Sequence, residues 1–433
     1  MKYFFPIHQK TAPHPFKKGD LLVLFGELFN RGYANGLVEE AEKNGLTVVR
    51  ATVGRRDAEG QLRPLTAEES ATIPQPFINV PLEAGFDLEK DIHGKSPVDY
   101  LSGIKLSAWQ EASIPEESLN QARHQGRERF TANTRKFLEA LSVHVKPGQH
   151  VHFAHLMAGG VPRCKIVMPL MNRVFKGVGD RFLDSKTFWK SGIGRLLEMN
   201  FHEVTAETFN ILVQESAALR EKITQNDGSC SYVAYGYHGT EIIVSDRYKW
   251  QSYAPYIQGW AKVALENYSR DWSARGVRTC VYNCPEILTN SSSIFQGVEI
   301  PLYNLMRAFE KEAPDHPTTK MLRQDCIQVL KDEFKPADVF QIVDEFLTSP
   351  VFLKTSVYQD WPHHSYKEQV ELGLNTSDKI ISLHRDEKAL MTAVLSELVF
   401  KGCGYTMLHD GFKPQAPVAW IGHDVVVKSL TEN

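Results

Sequence analysis

A phenol and an ammonium group that could handle a proton together come close to one another in residues 229–289. Tyr253 and Tyr256 precede Lys262 by nine and six positions along the chain. A lysine held near a tyrosine lowers the pKa of the phenol, so that the hydroxyl can give or share a proton near neutral pH. The stretch therefore predicts a site in which a tyrosine acts as an acid beside a lysine.

The elements around these residues are expected to bring them to the start of one helix. The stretch reads as an apolar strand, a tyrosine-rich loop, a helix and a second strand, in the segments SYVAYGYHGTEI, VSDRYKWQSYAPY, IQGWAKVALENYSRDWSA and VRTCVYNCPEILT. These patterns are those of buried strands around an amphipathic helix. The phenol of Tyr253 and the ammonium of Lys262 would then meet at the N-terminal end of the helix.

A second chemical feature is a glycine-bearing turn near the start of the chain. The apolar run LLVLF predicts a buried strand, and Gly26, Gly32 and Gly36 follow before the helix LVEEAEKNG and the next strand, LTVVRATV. In a dinucleotide-binding unit such glycines let the backbone approach a pyrophosphate at the helix N-terminus. The spacing G-x5-G-x3-G differs from GxGxxG, so an ordinary crossover with turn glycines stays open as an alternative.

Two arginines follow the second strand directly, where the adenosine ribose lies in such a unit. Arg55 and Arg56 suit a 2′-phosphate, whereas an acidic residue would suit a free 2′-hydroxyl. We therefore predict NADPH as the cofactor, with NADH possible. The alternative is a basic turn exposed to solvent.

The remaining segments complete an α/β pattern. FINVPLEAGFD predicts a third strand, residues 115–142 a long helix, and HVHFAHLMAGG a fourth strand whose small residues Ala158 and Gly159 would let a cofactor lie across the sheet edge. Residues 161–204 show no clear strand, and a stretch of that length predicts a lid or substrate loop. The runs PVAWIG and HDVVVKSL near the end could add strands or cover the core.

Composition excludes several classes of protein. Forty-nine basic and 52 acidic residues give a net charge of −3, which is not the footprint of a protein that binds nucleic acid or an anionic membrane. The six cysteines form no CxxC pair, and the histidines show no metal-ligand spacing; His363 and His364 are expected in a surface loop. No secretory segment or apolar run of membrane-spanning length is present. These features predict a reduced, cytoplasmic, soluble protein.

The alternation of strands and helices predicts one continuous α/β architecture without repeats or low-complexity linkers. We expect a Rossmann-type, doubly wound parallel sheet with helical insertions and a C-terminal extension. Residues 1–310 would form the NAD(P)-binding catalytic domain, with the substrate loop at about 161–204, and residues 311–433 a helical extension packed on the same core.

At this point the sequence resembles the short-chain dehydrogenase/reductase superfamily, with one departure. Most members carry Tyr-x3-Lys, but the residue four positions before Lys262 is Gln258. The Tyr-x8-Lys spacing of Tyr253 is similar to V-type enoyl-acyl-carrier-protein reductases, as are the strings GYHGTEI, GWAK and SSSIFQGVEIPLY. GYANGL and AHLMAGGVPR match more loosely. The chain looks most like the FabMG type, across roughly residues 20–350.

The resemblance implies an activity and a set of roles. The activity would be NAD(P)H-dependent reduction of trans-2-enoyl thioesters, carried on acyl carrier protein or CoA, in fatty acid biosynthesis, with tolerance of triclosan. Tyr253 would be the catalytic tyrosine, Lys262 would hold the nicotinamide ribose, and Tyr237 matches the second tyrosine. The loop between Tyr237 and Tyr253 is longer than is usual in the family, so Tyr256 stays a competitor for the acid role. Thr289 is expected to contact the cofactor.

Two other functions stay open from the sequence. One is a carbonyl-reducing member of the same superfamily, against which the missing Tyr-x3-Lys counts. The other is a non-catalytic NAD(P)-sensing protein, which would not need both Tyr253 and Lys262. The long C-terminal segment could cover the surface that smaller relatives use to form tetramers, so we predict a monomer.

Overall fold

The computed structural model, which describes residues 4–253, 257–289 and 297–432, is built around a parallel sheet of eight strands. The strands of the described residues are, in chain order, β1 (Phe5–Ile7), β2 (Leu21–Glu27), β3 (Thr47–Thr52), β4 (Arg55–Arg56), β5 (Leu62–Arg63), β6 (Phe77–Pro81), β7 (His150–His155), β8 (Ser229–Tyr235), β9 (Gly239–Val244), β10 (Arg247–Ser252), β11 (Thr279–Asn283) and β12 (Val418–Ile421). The main sheet has the order β1-β12-β11-β8-β7-β2-β3-β6, while β9–β10 and β4–β5 form two small hairpins.

Helices cover both faces of the sheet. In the described residues they are α1 (Tyr33–Lys43), α2 (Ala67–Ser70), α3 (Pro97–Leu101), α4 (Glu116–Ser142), α5 (Val167–Lys176), α6 (Ser185–Trp189), α7 (Gly192–His202), α8 (Thr208–Glu215), α9 (Ala217–Gln225), α10 (Ile257–Ala274), α11 (Glu299–Glu312), α12 (Pro317–Val329), α13 (Pro336–Leu347), α14 (Pro350–Leu353), α15 (Lys367–Ser382), α16 (Thr392–Gly411) and α17 (His423–Thr431). None of them is both long and apolar enough to cross a membrane.

The apolar run in β2 is buried on both sides because alternate side chains face opposite layers. Leu22 and Leu24 pack into the core formed with α1, α11, α16 and α17, whereas Val23 and Phe25 pack into the core formed with α4, α8 and α10. The strand order reverses between β2 and β7, which are neighbours in the sheet although they are far apart in sequence. In open α/β sheets ligands bind at the carboxyl edge of such a switch point.

The C-terminal part of the chain enters the main sheet. The strand β12 pairs with β11 on one side and with β1 on the other. Helix α16 crosses α1 at two glycines: a Cβ at Gly36 would lie 1.9 Å from Phe400 O, and one at Gly404 would lie 2.2 Å from Gly36 C. Because neither position can hold a side chain, the two helices are in backbone contact. The domain boundary at residue 310 stays a prediction.

The predicted fold class is confirmed, and several predicted details are wrong. Residues 161–204 contain helices α5, α6 and α7 instead of an irregular loop, since their apolar residues pack into a third core with α10. Residues 244–252 of the predicted tyrosine-rich loop belong to the hairpin β9–β10, whose strands are joined by a two-residue turn, and residues 254–256 of that loop lie outside the described residues. In the tail, PVAWIG forms β12 and HDVVVKSL forms the buried helix α17, so one run adds a strand and the other covers the core, the two roles that were predicted for them. The strand β1 was not predicted.

Candidate active site

A cavity of about 290 Å³ opens at the carboxyl edge of the sheet, where β2, β7, β8 and β11 end. We call it the first cavity. It is lined by the turn after β2, the segment after β7, the end of β8, the segment after β11 and two residues of α10, namely Glu27–Phe29, Arg31–Asn35, His155–Gly159, Tyr235–Tyr237, Glu286, Ile287, Thr289, Gln258 and Lys262, with Thr205 and Val298. The cavity therefore lies at the topological switch point of the sheet.

Another cavity, which we call the third cavity, has a volume of about 210 Å³ and continues the first along the sheet edge. The two share the side chains of Glu27, Phe29, Leu156, Met157 and Ala158. Helix α1 begins beside them, and its N-cap Gly32 contributes no side-chain cap to the N–H groups of the first turn. An elongated cleft with an uncapped helix N-terminus fits an extended ligand that carries a pyrophosphate, such as a dinucleotide.

The cofactor-binding residues expected from the sequence fall into two groups. Gly32, Ala158, Gly159 and Thr289 line the first cavity. Gly26 lies beneath it with φ +126°, and a Cβ there would approach Leu156 Cβ and Met157 Sδ at 3.1 Å. Gly36 lines none of the three cavities and packs against α16.

The arginines predicted to hold a 2′-phosphate are paired with carboxylates. Arg55 donates to both carboxylate oxygens of Glu27, at 2.9 and 3.0 Å, and Arg56 donates to Glu83 Oε1 at 2.6 and 2.8 Å. Neither arginine lines the three cavities, whereas Glu27 lines two of them. A 2′-phosphate at either arginine would have to displace its carboxylate.

Glu27 is held as a carboxylate at the end of β2. It also accepts hydrogen bonds from the Thr52 hydroxyl at 2.8 Å and from the Val53 N–H at 3.2 Å. Burial acts to raise the pKa of Glu27, but the hydrogen bonds from Arg55, Thr52 and Val53 outweigh it and leave the pKa below its usual value. Glu27 is thus a fixed acceptor facing the cleft, and the sequence analysis missed it.

A second cavity, of about 160 Å³, adjoins the first, and the two share only Tyr237 and Glu286 among the described residues. Its other walls come from β10, α5, the start of α11, and the segment 346–374, namely Phe175, Gln251–Tyr253, Gly297, Ile300, Pro301, Phe346, Phe352, His363, Ser365, Gln369, Val370, Gly373 and Leu374. Tyr253 lines this cavity, and Lys262 lines the first one. The two predicted catalytic side chains therefore face different cavities on either side of the shared pair.

The two tyrosines of this site use their hydroxyl groups in opposite ways. The Tyr237 hydroxyl donates to Glu286 Oε1 at 2.7 Å, whereas the Tyr253 hydroxyl accepts from the backbone N–H of Glu286 at 3.3 Å. Their ring centroids lie 5.5 Å apart. Because Tyr253 accepts that bond, its own hydrogen stays available to a ligand. Tyr256, the competitor for the acid role, lies outside the described residues.

Lys262 is positioned by the end of β8. Its Nζ donates to the carbonyl oxygen of Tyr235 at 2.5 Å. Burial lowers the pKa of Lys262 to about 8, although the nearby Glu266 carboxylate acts in the other direction. Gln258 lies one helical turn earlier and lines the same cavity. Tyr253 follows the end of β10 and lines the second cavity, whereas α10 supplies Gln258 and Lys262 to the first cavity.

Glu286 is a functional candidate that the sequence analysis missed. Burial raises its pKa to about 7, the hydrogen bond from Tyr237 opposes this, and the charge of Glu299 adds to it. The signal was present in the sequence, since Glu286 is an acidic residue placed directly after a buried strand, in the run VYNCPEILT. Carboxylates at that edge of a parallel sheet face the ligand site.

The second cavity combines an apolar wall with buried polar atoms. Gln251 Oε1, Ser365 Oγ, Gln369 Oε1 and both ring nitrogens of His363 have no hydrogen-bond partner within the described part of the chain. Burial lowers the pKa of His363 to about 4, so its ring is neutral at physiological pH. The loop that carries His363 was expected on the surface, but it places this ring against the cavity. A ligand with neutral donors and acceptors fits this wall.

Comparison with known proteins adds independent findings. A family model described as enoyl-acyl carrier protein reductase FabMG matches residues 3–430. The chain is similar to an apo structure of FabMG, with 42% identity, a TM-score of 0.94, and coverage of 99% of this chain and 98% of that one. It is also similar to an NADH-bound structure of FabMG, with 37% identity, a TM-score of 0.79, and coverage of 99% of both chains. No match is found among curated proteins.

Proposed function

The chain belongs to the FabMG family of enoyl-acyl carrier protein reductases, and we propose that it reduces trans-2-enoyl thioesters with NADH. The observation that carries this proposal is the junction of two cavities at Tyr237 and Glu286, with Lys262 on one side and Tyr253 on the other. A cofactor in the first cavity and an enoyl group in the second would meet at that junction.

The first and third cavities supply the groups that would hold the dinucleotide. The N-terminus of α1 would bind the pyrophosphate, and Lys262 the hydroxyls of the nicotinamide ribose. Ala158, Gly159 and Thr289 would line the nicotinamide end. When bound, the cofactor supplies a hydride to the β-carbon of the substrate.

Tyr253 would polarise the substrate. Its hydroxyl hydrogen is free to donate to the thioester oxygen, where negative charge develops as the hydride arrives. A donor fixed in advance stabilises this charge more in the transition state than in the ground state. The apolar surroundings raise the pKa of Tyr253 well above its usual value, so it stays protonated as a donor at neutral pH.

NADH is the cofactor of the proposal, in preference to NADPH. The support is that Arg55 and Arg56 are both paired with carboxylates and that Glu27 faces the cleft as a fixed acceptor. A carboxylate accepts a hydrogen bond from a free ribose hydroxyl and repels a phosphate in the same place. A relative that is 37% identical has been solved with NADH bound.

The second cavity would hold the thioester substrate. Its apolar side chains suit an acyl chain, and its unpartnered polar atoms suit the amide-bearing arm of a carrier or of CoA. The predicted lid at 161–204 contributes Phe175 of α5, and the start of α11 contributes Ile300 and Pro301. Both segments would close over the substrate.

The finer expectations belong to the same proposal. The substrate would be carried on acyl carrier protein or CoA, and the enzyme would act in the cytoplasm as a monomer without nucleic-acid or membrane partners. It would tolerate triclosan, as the resemblance implies. Size-exclusion chromatography with light scattering measures the mass against one chain of 49.0 kDa, and titration with triclosan in the reductase assay tests the tolerance.

A direct assay tests the central proposal. The full-length protein is mixed with NADH or NADPH and with crotonyl-CoA, crotonyl-acyl carrier protein or acetoacetyl-CoA. We expect oxidation of NADH with both crotonyl thioesters. Turnover of acetoacetyl-CoA alone would establish a carbonyl reductase instead, and tight NADH binding without turnover of any thioester would establish a sensor.

A further inference from the structure

The reduction consumes a proton as well as a hydride, and the site contains a buried acid placed to supply it. We propose that Glu286 is the proton reservoir of the reaction and that Tyr237 passes its proton to the α-carbon, while Tyr253 holds the thioester oxygen. This inference rests on the proposed enoyl reduction. It assigns the two tyrosines different tasks.

The geometry places Glu286 and Tyr237 at the point of reaction. These are the two described residues that line both the first and the second cavity, and the hydroxyl of Tyr237 lies 2.7 Å from Glu286 Oε1. When Glu286 is protonated, its O–H can donate to Tyr237 across the same contact, which leaves the phenolic hydrogen for the substrate and a second hydrogen to replace it. Tyr253 has no such contact with the carboxyl group, because it meets only the backbone N–H of Glu286.

The steps balance in atoms and charge. The hydride of NADH forms the new C–H bond at the β-carbon, and the electron pair of the C=C bond moves into an enolate whose oxygen accepts from Tyr253. The O–H bond of Tyr237 then breaks as the α-carbon takes its hydrogen, and the O–H bond of Glu286 breaks to restore the phenol. Glu286 is left as a carboxylate, which takes a new proton from water before the next turnover. One hydride and one proton are consumed.

The surroundings of Glu286 favour a protonated carboxyl group. Burial and the charge of Glu299 on α11 raise its pKa to about 7, against the hydrogen bond from Tyr237. Tyr33 of α1 lies on another side, with its hydroxyl donating to the neighbouring Pro285 carbonyl at 2.6 Å, and Lys262 of α10 lines the same cavity. At pH 7 an ordinary glutamate is less than about 1% protonated, whereas a pKa of about 7 keeps a substantial fraction of Glu286 protonated.

The sign of the pH dependence follows. Glu286 must be protonated to supply the proton, so turnover is supported below its pKa and falls as the pH rises through about 7. Tyr253 stays protonated over that range, because burial raises its pKa above that of an ordinary phenol, which titrates near 10. If Glu286 only held Tyr237 in place, kcat would not fall as the pH rises through about 7.

The test uses the full-length variant Glu286→Gln, which keeps the size of the side chain and an acceptor for Tyr237. We expect kcat with crotonyl-CoA to fall by about 100-fold, the fall in kcat near pH 7 to disappear, and the solvent deuterium isotope effect on kcat to increase. The dissociation constant of NADH, measured by fluorescence, is expected to change less than twofold. The matched control is Glu312→Gln. The Glu312 carboxylate also accepts a hydrogen bond from a tyrosine, the hydroxyl of Tyr248, at 2.9 Å. Glu312 lines none of the three cavities.

Further variants keep the inference testable if Glu286→Gln does not fold. Tyr237→Phe breaks the relay and should also remove the fall near pH 7, whereas Tyr253→Phe should slow turnover and keep that fall. An unchanged pH profile and isotope effect in Glu286→Gln or Tyr237→Phe would overturn the relay while wild-type crotonyl reduction still supports the proposed function. Absence of that wild-type reduction would overturn the proposed function itself.

Discussion

At the level of single residues, the direction of two hydrogen bonds distinguishes Tyr237 from Tyr253. Tyr237 gives its hydrogen to Glu286, and Tyr253 receives one from the backbone of the same residue. While Glu286 is a carboxylate, only the second arrangement leaves a phenolic hydrogen ready for a substrate oxygen. The chemical task of each tyrosine is therefore set by its neighbour.

Replacing Tyr253 with phenylalanine tests the polarising role. We expect Tyr253→Phe to lower kcat with crotonyl-CoA by 100-fold or more, about the contribution of a positioned acid, because the enolate oxygen loses its donor. Steady-state kinetics measure the effect, and Tyr248→Phe, which removes a hydroxyl remote from the cavities, is the control. A larger loss for Tyr256→Phe would show that Tyr256 is the acid.

Glu27 offers a test of cofactor choice at the same scale. The variant Glu27→Ala removes the acceptor for the ribose hydroxyl and frees the Arg55 guanidinium. We therefore expect the dissociation constant of NADH, divided by that of NADPH, to rise at least about tenfold. Binding titrations with both cofactors measure the ratio. Glu42→Ala removes the carboxylate partner of Arg50, which lies outside the cavities, and serves as control. An unchanged ratio would contradict the role of Glu27.

At the level of elements, the hairpin β9–β10 explains the spacing Tyr-x8-Lys. In relatives with Tyr-x3-Lys the tyrosine and the lysine share a helix and lie one turn apart. Here Tyr253 directly follows Ser252, the last residue of the hairpin, while Gln258 and Lys262 lie on α10. The backbone N–H of Tyr253 donates to the His238 carbonyl at 3.1 Å, which ties the end of the hairpin to its start.

The crossing of α1 and α16 should limit what Gly36 can become. In Gly36→Ala the new methyl group would lie 1.9 Å from Phe400 O, so the helices must separate, and we expect a loss of about 2 kcal/mol or more of unfolding free energy. Urea denaturation measures it. Gly373→Ala in α15, where the new Cβ would meet only Phe346 at 4.0 Å, is the control and should not destabilise the protein. Equal stabilities would contradict the close crossing.

The unpartnered polar atoms of the second cavity predict that the enzyme distinguishes thioesters whose thiol part carries amide groups from thioesters that lack them. Removing the buried Oγ in Ser365→Ala is expected to raise KM for crotonyl-pantetheine by about fivefold, the worth of one neutral hydrogen bond. KM for an alkyl crotonyl thioester, which offers no amide, should not change. Ser382→Ala, at the exposed end of α15, is the control. A rise in KM with both substrates would show that Ser365 acts on packing instead.

At the level of the whole molecule, the two ends of the chain complete one sheet. The strand β12 lies between β11 and β1, and α16 closes against the helix that follows β2. The segment after residue 310 thus contributes to the same core as one face of β2, β8 and β11. We expect a fragment of residues 1–310 to unfold without cooperativity and to lose NADH binding. In this fragment β11 would lack its neighbouring strand β12, and α1 would lack its partner helix α16.

Circular dichroism and fluorescence titration of that fragment, with the full chain as reference, test this expectation. A fragment that unfolds cooperatively and binds NADH would instead establish the domain boundary at residue 310. The same preparations show whether the extension contributes to the second cavity, since Phe346, Ser365 and Gln369 all belong to it.

The sequence by itself determined the parts that depend on local pattern. The runs around Leu22 and Val151 are buried strands because parallel strands covered on both faces are continuously apolar, and the Tyr-x8-Lys spacing indicated an enoyl reductase. Small residues at 158–159 marked the cleft because they follow such a strand. These features need no knowledge of which segments meet.

The tertiary structure decided what depends on segments far apart in sequence. Glu286 became a candidate acid because folding buries it beside Tyr237, and Arg55 is paired with Glu27, which lies 28 positions earlier in the sequence. The polar wall at 363–369 and the strand β12 join the site and the sheet only through long-range packing. Burial and pairing set the pKa and the partner of a side chain, and neither can be read from local pattern.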